Sequence, residues 1–247
     1  MNVETTIFLV LGAAAGGFIN GLAGTGTALF ALGFYLVVLP PINAVAIVAL
    51  MSILAGLQGL WLVRAELGLN PARLFRFILP GLAGVPIGLA LLSIINADAL
   101  RIAIAILLIV YGAYFSVRRS LPAFSRPTPY IDSGVGFIGG ALGGAAGVSG
   151  AIPAIWLSIR PWPKAEVRAV LQPFNIATLS TTVTLLFFKG AYDSVAVKAL
   201  LVTVPVGLIA AQVGIFVFRK LTDDVFRRLL IILTLLMGLG ILASELF

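Results

Sequence analysis

The sequence predicts an all-α polytopic membrane protein: two inverted repeats, each a glycine-broken helical hairpin plus three transmembrane helices. Three observations carry that reading. Of 247 residues, 61% are hydrophobic and only 10% charged, whereas soluble domains carry about 25% charged residues. The chain divides into apolar runs near the roughly 20 residues needed to span a bilayer. The two halves repeat each other's motifs, and the charges between the runs fall unevenly.

Eight apolar segments follow one another at 5–39, 43–63, 72–95, 99–117, 131–158, 165–188, 195–218 and 225–245. The longest connection, 118–130, holds Arg118, Arg119 and Arg126 with Pro122, Pro127 and Pro129. It divides the chain into a first repeat (1–120), a cytoplasmic linker (121–130) and a second repeat (131–247). Gly17-Phe18-Ile19-x-Gly21 aligns with Gly136-Phe137-Ile138-x-Gly140, and Val85-Pro86-Ile87-Gly88 with Val204-Pro205-Val206-Gly207. Arg101 to Gly112 aligns with Arg227 to Gly238 after an insertion. Internal repeats in transporters often have inverted topology.

Charge tests the topology. If all eight segments cross, the 16 Lys and Arg divide evenly between the faces. If segments 1 and 5 enter and leave on one face, Arg101, Lys189 and Lys198 lie opposite all the others. Only the second arrangement has a strong positive-inside bias. It gives six full crossings, two hairpins entering from opposite faces, inverted halves and periplasmic termini. The hairpin arms are re-entrant pieces or thin crossings. Segment 1 also suits a long crossing followed by an interfacial helix.

The net charge of +7 is dispersed in short loops, which is a topology signal rather than a nucleic-acid stripe. There is no Cys and no His, which removes thiolate metal sites and the commonest metal ligand and general base. No acidic residue falls near the centre of a predicted span. An enzyme, a cofactor and a buried carboxylate proton relay are therefore not expected. The start, Met-Asn-Val-Glu, lacks the basic region of a secretory signal and is expected to be mature chain.

The hairpins break at Gly24-Thr25-Gly26-Thr27 and Gly147-Val148-Ser149-Gly150. Non-helical backbone is tolerated in a membrane only where it is buried in protein or lines a cavity. A helix restarting after such a break points free N–H groups and a positive dipole end into the cavity, which suits an anion. The restarts are expected at Thr27-Ala28 and near Ala151-Ile152. The remaining glycines, including Gly136xxxGly140xxxGly144, read as helix-packing surfaces, within the chain or in a homodimer.

Arg168, Gln172 and Asn175 share one helical face at i, i+4 and i+7. Gln172 and Asn175 either face a cavity or glue helices together; Arg168 either attracts an anion or snorkels to the cytoplasmic surface. Asn20, Ser52, Gln58 and Gln212 are assigned to packing. Asp98 with Arg101, and Thr222-Asp223-Asp224 with Arg227 and Arg228, mark helix starts. Trp61, Trp156 and Trp162 are expected at membrane interfaces.

Gly147-Val148-Ser149-Gly150-Ala151-Ile152-Pro153, then Trp162-Pro163-Lys164, then Val167-Arg168-Ala169-Val170-Leu171-Gln172-x-Phe174, resembles the second-half signature of the sulfite exporter TauE/SafE family. Gly17-Phe18-x-x-Gly21-x-x-Gly24-x-Gly26 is similar to its first signature. Members often carry three glycines where Thr27-Ala28 follows Gly26 here, and a proline where Ala151 stands. The resemblance implies a multi-pass transporter of the bacterial inner membrane that exports sulfite, sulfoacetate or other organosulfonates. The anion would be bound by Gly24, Thr25, Gly26, Thr27, Gly147, Val148, Ser149 and Gly150, oriented by Gln172 and Asn175, and attracted by Arg168. Two alternatives stay open: import or export of another small anion, and a non-transporting subunit of a membrane complex. The expected partners are the anion, the lipid bilayer and a possible homodimer, with no nucleic acid.

Overall fold

The structure, a computed structural model, describes residues 2–91, 97–117 and 124–246. Among these every regular element is a helix. Residues 118–123 of the linker lie outside the description, as do the side chains of the Asp98–Arg101 helix start.

The first segment folds as α1 (Val3–Ala23) and α2 (Thr27–Val38). Asn2 caps α1 by accepting from the Thr5 N–H at 2.8 Å. Gly24 and Gly26 break the helix with φ of 80° and 96°, values that residues with a Cβ rarely adopt. Helix α2 turns back along α1: Gly16 faces Thr27 and Ala31, and Gly12 faces Phe34 and Tyr35. Ala28, Ala31 and Tyr35 are buried, so α2 is a returning hairpin arm rather than an interfacial helix. The fifth segment repeats the plan as α7 (Pro129–Ala146) and α8 (Ala151–Ser158), with Gly147 at φ 68°.

The hairpin arms are unequal. At 1.5 Å per residue, α1 extends about 31 Å and α7 about 27 Å, whereas α2 and α8 reach only about 18 and 12 Å. Each hairpin therefore has a long outgoing arm and a short return. The remaining segments form α3 (Pro41–Leu62), α4 (Arg64–Leu67), α5 (Pro71–Leu91), α6 (Ala97–Val117), α9 (Lys164–Phe188), α10 (Ser194–Lys220) and α11 (Asp223–Leu246). Helices α1, α3, α5, α9 and α10 are long and apolar enough to cross a membrane. Helices α6 and α11 have 21 and 24 residues. The short α4 was not expected from the sequence. At the start of α11, Thr222 Oγ1 accepts from the Val225 N–H at 3.3 Å, and Asp224 pairs with Arg227 at 2.5 Å, as the sequence suggested.

Glycine stripes set the packing. Helix α1 lies along α10, α5 along α7, and α6 along α11. A methyl group on Gly140 would sit 2.7 Å from Gly81 Cα, and one on Gly21 would sit 2.8 Å from Ala211 Cα. Gly136 and Gly144 meet Phe77 and Val85 of α5 in the same way. Gly21, Gly136, Gly140 and Gly144 are thus used in packing within the chain. Around them, Phe77, Leu171, Phe174, Phe218 and Phe226 form one apolar core, and Leu9, Tyr35, Ile47 and Met51 another.

Arg160, counted from the sequence as a loop charge, is only 2% exposed. Its Nη2 donates to Asp132 Oδ1 at 3.1 Å and to Thr128 Oγ1, and its Nη1 donates to the carbonyls of Phe124 and Arg126. The rings of Trp156 and Trp162 lie 4.4 and 5.5 Å from the guanidinium, and Trp156 Nε1 donates to Asp132 at 2.7 Å. Two of the three tryptophans thus serve a buried cation; Trp61 is 71% exposed, with the Arg64 guanidinium 4.5 Å from its ring. Removing one partner of a buried ion pair costs about 3–5 kcal/mol. Asp132→Asn is accordingly expected to lower thermal stability by that order, and a wild-type melting temperature would show that the Arg160 cluster contributes little.

Candidate functional site

Helix α9 brings the two hairpin tips together. Asn175 lies midway along it, and its side chain touches both tips. Its Oδ1 accepts from Ser149 Oγ at 2.8 Å, and its Nδ2 donates to the Gly24 carbonyl at 3.0 Å. The tips also touch directly, because a methyl group on Gly150 would lie 2.8 Å from Thr25 Cβ. Gly150 has an ordinary φ of −82°, so it is close approach, not backbone conformation, that requires glycine there.

Between the tips is a cavity of about 20 Å³, lined by residues 25–28 and 147–150 with Asn20, Ser52, Asn175 and Leu179. That is room for about one water. Neither α2 nor α8 has a side-chain cap on its first turn, so both present helix N-termini beside the cavity. Thr27 Oγ1 accepts from Asn20 Nδ2 at 2.8 Å, which leaves its own proton to donate. Thr25 Oγ1 makes no hydrogen bond among the described residues. The Ser149 proton is engaged by Asn175. The lining carries no formal charge, and its donors suit an anion by hydrogen bonding.

The cation stands further along the same face of α9. From Asn175 to Arg168 is about 10 Å along the helix axis. A polar chain links them to the first tip: Arg168 Nε donates to Gln172 Oε1 at 2.9 Å, and Gln172 Nε2 donates to Asn20 Oδ1 at 3.4 Å. Gly56 and Gly59 of α3 make room for this face, since a methyl group on Gly59 would lie 2.5 Å from both Arg168 Nη2 and Gln172 Oε1. Arg168 does not snorkel. It is 0% exposed, its guanidinium lies 4.5 Å from the Phe218 ring centroid, and its Nη1 and Nη2 have no hydrogen-bond partner among the described residues. A buried cation without a counter-charge costs several kcal/mol.

All eleven residues singled out from the sequence thus fall in one region. Thr25, Gly26, Thr27, Gly147, Val148, Ser149, Gly150 and Asn175 line the cavity; Gly24 supplies a carbonyl; Gln172 and Arg168 extend the polar face beyond it. Asn20 and Ser52, assigned to packing from the sequence, line the cavity as well, and Asn20 joins α9 to the first tip. One signal pointed to Asn20: it is the only amide between Ile7 and Ala23, and it stands one turn before the break. Gln58 has a buried Oε1 without a partner among the described residues, and Gln212 faces outward.

Compared with family models, residues 8–241 match that of the sulfite exporter TauE/SafE family. The chain belongs to the sulfite exporter TauE/SafE family. The match covers both hairpin breaks and all of α9, so every residue of the cavity lies within it. No curated protein and no solved structure matches the chain. Membership in TauE/SafE, together with the apolar helices, makes this a multi-pass membrane protein of a transporter family.

Proposed function

We propose that the chain is a secondary transporter that exports small sulfur-containing anions, sulfite or organosulfonates, from the cytoplasm. The observation that carries this reading is Arg168: a fully buried guanidinium with two unpartnered amino groups, joined by hydrogen bonds to an uncharged cradle of helix N-termini and hydroxyls. A permeating anion supplies the missing charge. It pairs first with Arg168, then moves along Gln172 and Asn20 to the tips. There Thr25 and Thr27 donate hydrogen bonds, and Ser149 donates after releasing Asn175. Because the cavity holds about one water, a sulfite requires the tips to part. That opening is the rocking step of alternating access.

The packing supports inverted halves. Helix α1 lies along α10 as α7 lies along α5, and α3 contacts α10 as α9 contacts α5; α3 with α9, and α6 with α11, pair across the proposed axis. In this arrangement the termini are periplasmic and Arg168 lies toward the cytoplasm.

Proteoliposomes loaded with radiolabelled sulfite test the reading. Ser149→Ala is expected to slow efflux about tenfold, that is, by about 1.4 kcal/mol. The lost bond to Asn175 should cost only about 1 kcal/mol of stability. Unchanged efflux kinetics would remove Ser149 from the path, and no sulfite-dependent flux in the wild type would overturn the proposed cargo.

A further inference from the structure

We propose that the protein carries a second anion site, built for a phosphate group, at the end of the molecule where α5 and α7 begin. A cavity of about 170 Å³ opens there, and its lining includes Arg73, Arg76, Arg126, Arg160, Thr128 and Trp162. It shares no lining residue with the cavity between the hairpin tips, and the inference does not depend on what that first cavity binds.

The charges do not balance. Four guanidinium groups line the cavity with one carboxylate, Asp132. Asp132 is committed to Arg160, and Arg73 is paired with Glu166 at 2.7 Å while stacking on Trp162 at 3.8 Å. Arg76 and Arg126 have no carboxylate partner among the described residues. Arg160 Nε is buried without a hydrogen-bond partner among the described residues. Helix α7 starts beside the cavity with no side-chain cap, adding the positive end of its dipole.

Converging guanidinium forks match a tetrahedral oxyanion, which each engages through two parallel hydrogen bonds. A water needs about 10–15 Å³ of such space, so the cavity has room for several and admits a phosphate group together with bridging water. Phe75 of α5 and Tyr130 and Ile131 of α7 are exposed next to the lining residues. Exposed apolar side chains this close in sequence to the lining would give acyl chains a surface to pack on. Basic clusters at a membrane surface attract anionic headgroups. The shared chemistry is a phosphate, supplied by an anionic phospholipid or by free phosphate.

The test is a thermal-shift titration of the full chain, purified and delipidated in detergent, with three probes: phosphatidylglycerol, zwitterionic phosphatidylcholine and inorganic phosphate. It compares wild type with Arg76→Gln/Arg126→Gln. A probe that binds the folded state raises its apparent stability by mass action. Wild type is expected to respond to phosphatidylglycerol or phosphate but not to phosphatidylcholine. The double variant is expected to need about tenfold more probe for the same shift. Its response to sulfite should be unchanged, which keeps the two cavities distinguishable. Response to phosphatidylglycerol alone identifies a lipid headgroup; response to phosphate as well identifies the free ion. No response to either probe, or equal responses in wild type and variant, overturns the proposal. Should the double variant fail to fold, the two single variants read the same loss in part.

Discussion

Arg168→Met is expected to abolish transport and to raise thermal stability at once. Methionine fills much of the volume of the arginine stem and needs no counter-charge. Arg168 has one hydrogen-bonded nitrogen, Nε to Gln172, and two orphaned ones, and it is 0% exposed. Replacing buried ionic groups with apolar ones is often neutral or stabilising by about 1–4 kcal/mol. The lost bond to Gln172 returns about 1 kcal/mol of that. Transport should fall about a hundredfold or more, a loss of about 2.7 kcal/mol of transition-state stabilisation. Sulfite efflux from proteoliposomes and the melting temperature, measured on the same preparation, read both effects. A variant that transports normally would remove Arg168 from the path. One that melts well below wild type would mean that the guanidinium has a partner in the membrane and is structural.

Gly150→Ala is expected to be nearly as damaging for the opposite reason. Its backbone lies in the ordinary helical region, so alanine meets no conformational penalty there. The added methyl would press on the Thr25 side chain and lie 3.0 Å from Asn175 Nδ2. Both tips and the residue that joins them must then shift. Overpacking of this kind costs about 1–3 kcal/mol, and it falls on the contact that closes the site. Efflux should drop about tenfold or more. Thr25→Gly removes the obstructing atoms, so Gly150→Ala/Thr25→Gly should recover the stability but not the flux. A melting temperature and flux equal to wild type in the single variant would show that the tips are not in contact.

Much of this site was legible in the sequence because its physics is local. The breaks at Gly24–Thr27 and Gly147–Gly150 are visible as glycine pairs interrupting apolar runs, and positive φ at Gly24, Gly26 and Gly147 is the reason for them. The spacing of Arg168, Gln172 and Asn175 follows from the helical period. What stayed hidden depends on neighbours distant in sequence. Arg160 looks like a surface charge until Asp132, 28 residues earlier, meets it. Arg168 looks like a snorkelling cation until Gly59 of α3 makes room for it. Asn20 stands in a stripe of small residues whose obvious use is packing, and Gly17 and Gly21 do pack on α10. The unequal hairpin arms were equally hidden, because an apolar run does not reveal where its returning helix ends.

Sulfite export as proposed requires the hairpin tips and the polar face of α9 to form one anion site. The most direct test is a thermal-shift binding panel on the purified protein in detergent: sulfite, sulfate, thiosulfate, sulfoacetate, taurine and size-matched carboxylates. Each is tested against wild type, Ser149→Ala and Arg168→Met. A ligand at a hundred times its dissociation constant stabilises the folded state by about 2.7 kcal/mol, a readily measured shift. Stabilisation of wild type by sulfite or a sulfonate is expected, weaker with Ser149→Ala and absent with Arg168→Met. No stabilisation by sulfite or any sulfonate, or the same stabilisation by them in all three proteins, would contradict that arrangement.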